Sequence, residues 1–159
     1  MSLYDWLVSL HVLAAFSLVA AVVVYTYVIV AGRNVEIPSE VAALFRIARV
    51  GDVLMPIGAM GVLILGIWLA IEVDGYEVWD GWVIAALVLW AIFAAVGSRE
   101  GKIYNAARDR ARALVAEGND APSPALREML RSRTGLALHA ALIVVVVLFV
   151  VDMIYKPGA

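Results

Sequence analysis

Three ionisable side chains in this sequence lie within or beside long apolar segments. His11 lies in LHVLAAF, His139 lies in LALHAAL, and Asp52 comes just before another apolar stretch. An ionisable group in such a segment is by default a candidate functional group, either a haem or metal ligand or a proton carrier. The structural alternative is an interhelical hydrogen bond for each histidine and a local ion pair with Arg49 for Asp52.

The segments that carry these side chains are long enough to cross a lipid bilayer. Hydrophobic residues make up 64% of the 159-residue chain and charged residues 16%, against roughly half and a quarter in soluble domains. An apolar run of about 18 residues predicts a membrane span. We therefore predict one domain over 1–159, with spans at about 3–31, 53–71, 82–97 and 135–154 and a helical stalk at about 98–134.

The basic residues predict how these spans are oriented. All but Lys156 of the 12 lysines and arginines lie between spans one and two or between spans three and four, whereas the loop EVDGYEVWDG between spans two and three is acidic. Positive charge favours the cytoplasmic side. Both termini should therefore lie outside a bacterial inner membrane. Anionic lipid on the cytoplasmic side accounts for the arginines without a nucleic-acid partner.

These patterns predict an all-α fold, an integral membrane four-helix bundle of two helical hairpins with helices 2–4 extended into the cytoplasm. Ser39 should cap the second helix and Pro56 should kink it, and Ser123 with Pro124 should begin a helix in the stalk. Gly58 and Gly61 predict close helix packing, either within the chain or with a homo-oligomer or complex partner. The 98–134 stalk could bind a partner, lie on lipid or be solvated.

The two histidines should not share one haem. At 1.5 Å per residue, His11 lies roughly 10 Å below the outer face and His139 about 6 Å above the inner face. In a hydrocarbon core about 30 Å thick they are then on the order of 14 Å apart along the membrane normal. The sequence has no cysteine, which excludes thiolate chemistry. It also shows no P-loop, dinucleotide or paired-histidine metal motif.

The motif LHVLAAF resembles the first span of a group of small bacterial integral membrane proteins filed as a domain of unknown function. Those proteins share four spans and an arginine-containing inner loop. More remotely, the segment is similar to the first spans of CopD copper-resistance proteins and of the haem-b protoporphyrinogen oxidases called HemJ. The HemJ likeness implies haem ligation by His11. It does not extend to the oxidase activity, because the later-span basic residue of that family has no counterpart here.

Three functional hypotheses follow. The first is a haem-b-binding or redox-associated membrane protein, with His11 and His139 as candidate ligands at separate sites. The second is proton or small-solute transport, in which His11, Asp52 and His139 carry a proton between different depths. The third is a non-catalytic accessory subunit that docks through Gly58, Gly61 or the stalk.

Overall fold

The fold is all-α, as predicted. The computed structural model describes residues 2–72 and 77–156, so Asp74 of the acidic loop lies outside the described residues. Within these ranges the chain forms α1 (Leu3–Gly32), α2 (Pro38–Glu72), α3 (Gly81–Ala116), α4 (Pro124–Leu130) and α5 (Arg133–Tyr155). The four predicted spans fall within α1, α2, α3 and α5.

Four helical segments are long and apolar enough to cross a membrane, with mean hydropathies of 2.1 to 2.7. Their outward faces carry large apolar side chains such as Leu13, Phe16 and Val147, each more than half exposed. A surface of this kind suits contact with lipid, which confirms an integral membrane bundle. We call the end that holds residues 33–50 and 98–134 the basic end, and the end that holds both chain termini the terminal end.

α1 and α2 pack antiparallel along their whole length, with a glycine at five of their contacts. The contacts pair Gly32 with Leu44, Tyr25 with Gly51, Leu18 with Gly58, Ala14 with Gly61 and His11 with Gly66. On α1 the large side chains at these contacts recur every seven residues, the spacing that keeps one helix face against a partner. A glycine opposite a large side chain lets the two backbones approach closely.

The closest approach is at Gly58. A Cβ atom on this residue would lie 2.5 Å from the backbone nitrogen of Leu18 and 2.7 Å from its Cα. One on Gly61 would lie 2.6 Å from the Cβ of Ala14. The predicted close packing at these glycines is therefore confirmed within the chain. α1 occupies this contact, and docking of another chain through these glycines stays a prediction.

α3 and α5 form the second antiparallel pair. Their contacts join Tyr104 to Gly135, Glu100 to His139 and Gly97 to Leu142. The two pairs meet mainly through α2 and α3, where the Trp90 indole N–H donates to the Ala59 carbonyl at 2.8 Å. α1 and α5 contact each other only briefly. The bundle therefore consists of two tightly packed hairpins with a looser boundary between them.

The predicted stalk is packed against the rest of the chain. Its apolar face joins the ends of α1 and α2 and the short α4 in one buried cluster, made of Val28, Ile29, Val41, Phe45, Ala48, Tyr104, Ala107, Ala111, Leu126 and Leu130. Ala107 and Ala111 are fully buried, because small side chains let α3 lie close to its neighbours. The opposite face of the stalk, which includes Arg110 and Arg112, is exposed, and whether it meets water, lipid or a partner stays a prediction.

The loops at the basic end are held by polar contacts. Ser39 does not cap α2. α2 begins one residue earlier, at Pro38, so Ser39 lies within its first turn. The Asp120 carboxylate accepts from the Ser39 backbone N–H at 2.8 Å and from its hydroxyl at 2.7 Å. Ser123 caps α4 as predicted, accepting from the Leu126 N–H. α2 remains helical through Pro56.

The α1–α2 contact predicts the effect of one added methyl group. Gly58→Ala should lower the free energy of unfolding in detergent by about 1–3 kcal/mol, because backbone atoms cannot move aside as a side chain can. Gly97→Ala is the matched control: its Cβ would lie 3.9 Å from Leu142, so it should be neutral or stabilising by up to about 1 kcal/mol. Equal thermal unfolding midpoints for the two variants would contradict the close contact.

Candidate functional site

Polar side chains from all four long helices meet near the basic end of the bundle. We call this set the polar layer. It consists of Tyr25 and Thr26 on α1, Asp52 on α2, Glu100 and Tyr104 on α3, and His139 on α5. The helix registers bring them together, since Tyr25 lies against Gly51 and Tyr104 against Gly135. The two glycines leave room for the phenol rings within the packed bundle.

His139 is the centre of the polar layer and is 4% exposed. Its Nδ1 lies 2.7 Å from Oε1 of Glu100, which is itself 7% exposed. Its Nε2 lies 2.8 Å from the hydroxyl oxygen of Thr26. The imidazole thus joins α5 to α3 on one side and to α1 on the other. The Thr26 contact crosses the boundary between the two hairpins.

Counting protons in these contacts shows what the pair can do chemically. The Thr26 hydroxyl has one proton and donates it to the Val22 carbonyl at 2.8 Å. Nε2 of His139 must then be the donor to Thr26. The contact between Nδ1 and Glu100 needs a further proton, carried on either group. In this arrangement the His139–Glu100 pair has no net charge, the state that burial favours.

A second arrangement differs by one proton. If the Thr26 hydroxyl turns from Val22 to donate to Nε2, the imidazole keeps only its Nδ1 proton, and the pair has a charge of −1. Thr26 keeps a hydrogen bond to His139 in both arrangements. The contacts of Thr26 are thus compatible with either arrangement, and only the direction of its hydroxyl group differs between them. Both ring nitrogens of His139 have a hydrogen-bond partner in each arrangement.

Asp52 contacts a different partner from the expected one. The Tyr25 hydroxyl donates to Oδ1 of Asp52. Among the described residues no ion pair joins Asp52 to Arg49. The expected local ion pair was therefore wrong, because the α1–α2 register brings the Tyr25 ring over Gly51 and its hydroxyl to the neighbouring carboxylate.

A cavity of about 290 Å³ lies beside the polar layer, between α2 and α3. Asp52, Glu100 and Tyr104 line its polar part together with Arg108, and Trp90, Phe93 and Leu142 are among its apolar lining. The Tyr104 hydroxyl is buried and has no hydrogen-bond partner within the described chain. With Tyr25 also in its lining, the cavity brings two carboxylates, two phenols and a guanidinium to one space between the helices.

His11 is not part of this arrangement. Its ring lies against Gly66, with a Cβ on that glycine 3.2 Å from Cε1, and its buried Nδ1 has no partner among the described residues. His11 and Thr26, the α1 contact of His139, are 15 positions apart in the sequence, or about 22 Å along a helix. This separation agrees with the expectation that the two histidines do not bind one haem.

Of the predicted site residues, Asp52 and His139 belong to the polar layer, Arg49 lies one turn from Asp52 on α2, and His11 lies apart. The principal partners were not predicted. The sequence did not indicate a role for Glu100, Thr26, Tyr25 or Tyr104. Glu100 was assigned to the stalk because it lies in the charged segment SREGK. One signal was available: α3 shows no helix-breaking residue between Gly97 and Glu100, so the predicted end of the span was uncertain by one turn.

The described residues contain no group of three or more His, Cys, Asp or Glu side chains that could hold a metal ion. A family model described as "Predicted integral membrane protein (DUF2269)" matches residues 5–157. No curated protein and no solved structure matches the chain. The match confirms the expected likeness to a family of integral membrane proteins. The remoter likeness to CopD and HemJ proteins stays a prediction.

Proposed function

We propose that this chain, which belongs to the family of predicted integral membrane proteins DUF2269, moves protons across the membrane at a rate that a bound small solute changes. The observation that carries the proposal is the buried His139–Glu100 pair in contact with Thr26. The proposal develops the transport hypothesis and transfers its central role from His11 to the polar layer.

Stability alone is a poor reason for such a pair. Removing two ionisable groups from water costs several kcal/mol, and apolar residues of similar size are often as stable or more so. Ionisable groups inside membrane bundles are accordingly associated with ion and proton pathways. A proton carrier must release a proton and take it up again. The pair would do so by changing from zero charge to −1 on release and back to zero on uptake.

The position of the cavity supports coupling to a solute. The cavity lies between α2 and α3, and the Thr26–His139 contact lies between α1 and α5. Both are at the boundary between the two hairpins. A solute that separated the hairpins would also lengthen the hydrogen bond to His139, and so change how readily the pair holds its proton. Glu100 contributes to both the cavity and the pair, which gives the coupling a direct route.

Proton movement can be measured in liposomes that contain a pH-sensitive dye, with a membrane potential imposed by potassium and valinomycin. We expect the native chain to acidify or alkalinise the lumen according to the sign of the potential. Glu100→Gln and His139→Gln should reduce the rate to that of protein-free liposomes, because neither replacement can exchange a proton. Thr26→Ser should keep activity and Thr26→Val should lower it.

Glu117→Gln is the matched control, since it removes an exposed carboxylate from the end of the same helix. It should leave the rate unchanged, and thermal unfolding should show that all variants are folded. A native chain with no proton flux, or a Glu100→Gln variant as active as Glu117→Gln, would rule out the proposed role of the pair.

A second candidate function is haem-b binding by His11, favoured by the buried ring nitrogen that has no partner among the described residues. Histidine is a common axial ligand of haem iron, which supplies electron-transfer chemistry when bound. The absorption spectrum of the chain purified from haem-replete cells, in air and after dithionite, tests this idea. A Soret band that is lost in His11→Ala but kept in His139→Ala would support it. A featureless native spectrum would contradict it.

We also propose that the membrane is the inner membrane of a bacterium, with the basic end in the cytoplasm and both termini outside. The distribution of lysine and arginine supports this orientation. Because the chain has no cysteine, a single cysteine can be introduced at Ser2 or at Asn119. A membrane-impermeant thiol reagent added to intact cells should label Ser2→Cys and spare Asn119→Cys. The opposite pattern would invert the assignment.

A further inference from the structure

A basic groove lies on the surface of the basic end, between the last part of α3 and the segment that joins α4 to α5. Its volume is about 810 Å³. Arg127, Arg131 and Arg133 line it, together with Glu128 and the apolar side chains Ile103 and Met129. It is separate from the cavity of the polar layer, with which it shares no lining residue.

Contacts within the chain hold two of the three arginines in place. Arg127 pairs with Glu36, and Nε of Arg131 donates to the Arg33 carbonyl at 2.9 Å. Among the described residues, neither the terminal nitrogens of Arg131 nor the side chain of Arg133 has a hydrogen-bond or ion-pair partner. The groove therefore offers two guanidinium groups with unused donors, and one of them is already oriented.

The charge balance of the groove is positive. The three arginines face Glu128, which lines the groove, and Glu36, which pairs with Arg127. One positive charge is left over, and it suits a ligand with a single negative charge. Guanidinium groups bind phosphate oxygens through paired, charge-assisted hydrogen bonds, so a phosphodiester fits this chemistry.

The position of the groove favours a phosphate that belongs to a lipid. Arg133 precedes the expected start of the span by two residues, about 3 Å along the helix. The headgroup layer is roughly 5–7 Å thick on each side. Above Arg133 on the same face of α5, Leu136, Ile143 and Val147 are exposed and follow one another at helical spacing. The guanidinium groups would face the phosphate of a phospholipid, and the apolar face of α5 above them would face its acyl chains.

We propose that this groove binds one anionic phospholipid, with the headgroup phosphate at Arg131 and Arg133 and an acyl chain along the Leu136–Ile143–Val147 face of α5. The site is independent of proton movement at the polar layer. It assigns a specific lipid partner to the basic end of the bundle, beyond the general attraction of basic loops to anionic membranes.

Lipid binding can be measured by native mass spectrometry of the detergent-solubilised full chain, titrated with dioleoyl-phosphatidylglycerol or with dioleoyl-phosphatidylcholine. We expect one phosphatidylglycerol to bind more tightly than the others and phosphatidylcholine to show no such site. Arg133→Gln, which loses no contact within the described chain, should weaken that first binding about fivefold, and Arg131→Gln with Arg133→Gln about 30-fold.

The matched control is Arg110→Gln with Arg112→Gln, which removes two exposed charges from α3 outside the groove. If this control weakens the first binding as much as the groove variant does, the attraction is that of the basic end as a whole and the groove proposal fails. Inorganic phosphate at the same concentration should not displace the lipid. If inorganic phosphate displaces the lipid, the groove is a general anion site and the lipid proposal fails. An unchanged affinity in Arg133→Gln would also overturn the proposal.

Discussion

Close contact between helix backbones is the constraint on which this structure depends. Lipid chains are as apolar as leucine, so helices in a membrane gain little from burying apolar side chains against one another and rely on packing. α1 and α2 meet this requirement with small residues placed opposite large ones from Gly32 to His11. The contact of Gly58 with the Leu18 backbone fixes the register of the pair. A shift by one position would place side chains where only a glycine fits.

The polar layer is a consequence of that register. Tyr25 needs the space left by Gly51, and this contact brings the Tyr25 hydroxyl to the neighbouring carboxylate of Asp52. Tyr104 uses Gly135 in the same way, and one turn further along the α3–α5 contact Glu100 meets His139. The same small residues that let the helices approach thus place ionisable groups from different helices at one depth. Packing and candidate chemistry therefore cannot be altered independently in this part of the bundle.

The parts of the fold that were predicted from sequence depend on local patterns. Hydropathy identifies the spans because each apolar run is continuous, and Ser123 with Pro124 marks the start of α4 because a helix start is decided within a few residues. Ser39 is not a cap because α2 already begins at Pro38, and its contact with Asp120, 81 positions away, has no local signal in the sequence. The buried face of the α3 extension was recognised as apolar, yet Ala107 and Ala111 do not show what covers them. Which residues cover a buried helix face is known only from the contacts between helices.

The site was harder to predict for the same reason, and Glu100 shows why. A carboxylate just beyond the predicted end of a span is normally solvated, and although Glu100 lies only one turn beyond Gly97, the α3 sequence does not show what would bury it. Its burial depends on α5, which places His139 against it. A position near the edge of the apolar region also lowers the cost of charge there compared with the bilayer centre, and the adjoining cavity brings Asp52 and Arg108 close by. The boundary of a membrane span is therefore set by the neighbouring helices as much as by its own residues, and the ionisable groups at such a boundary can be identified only after the helices are packed.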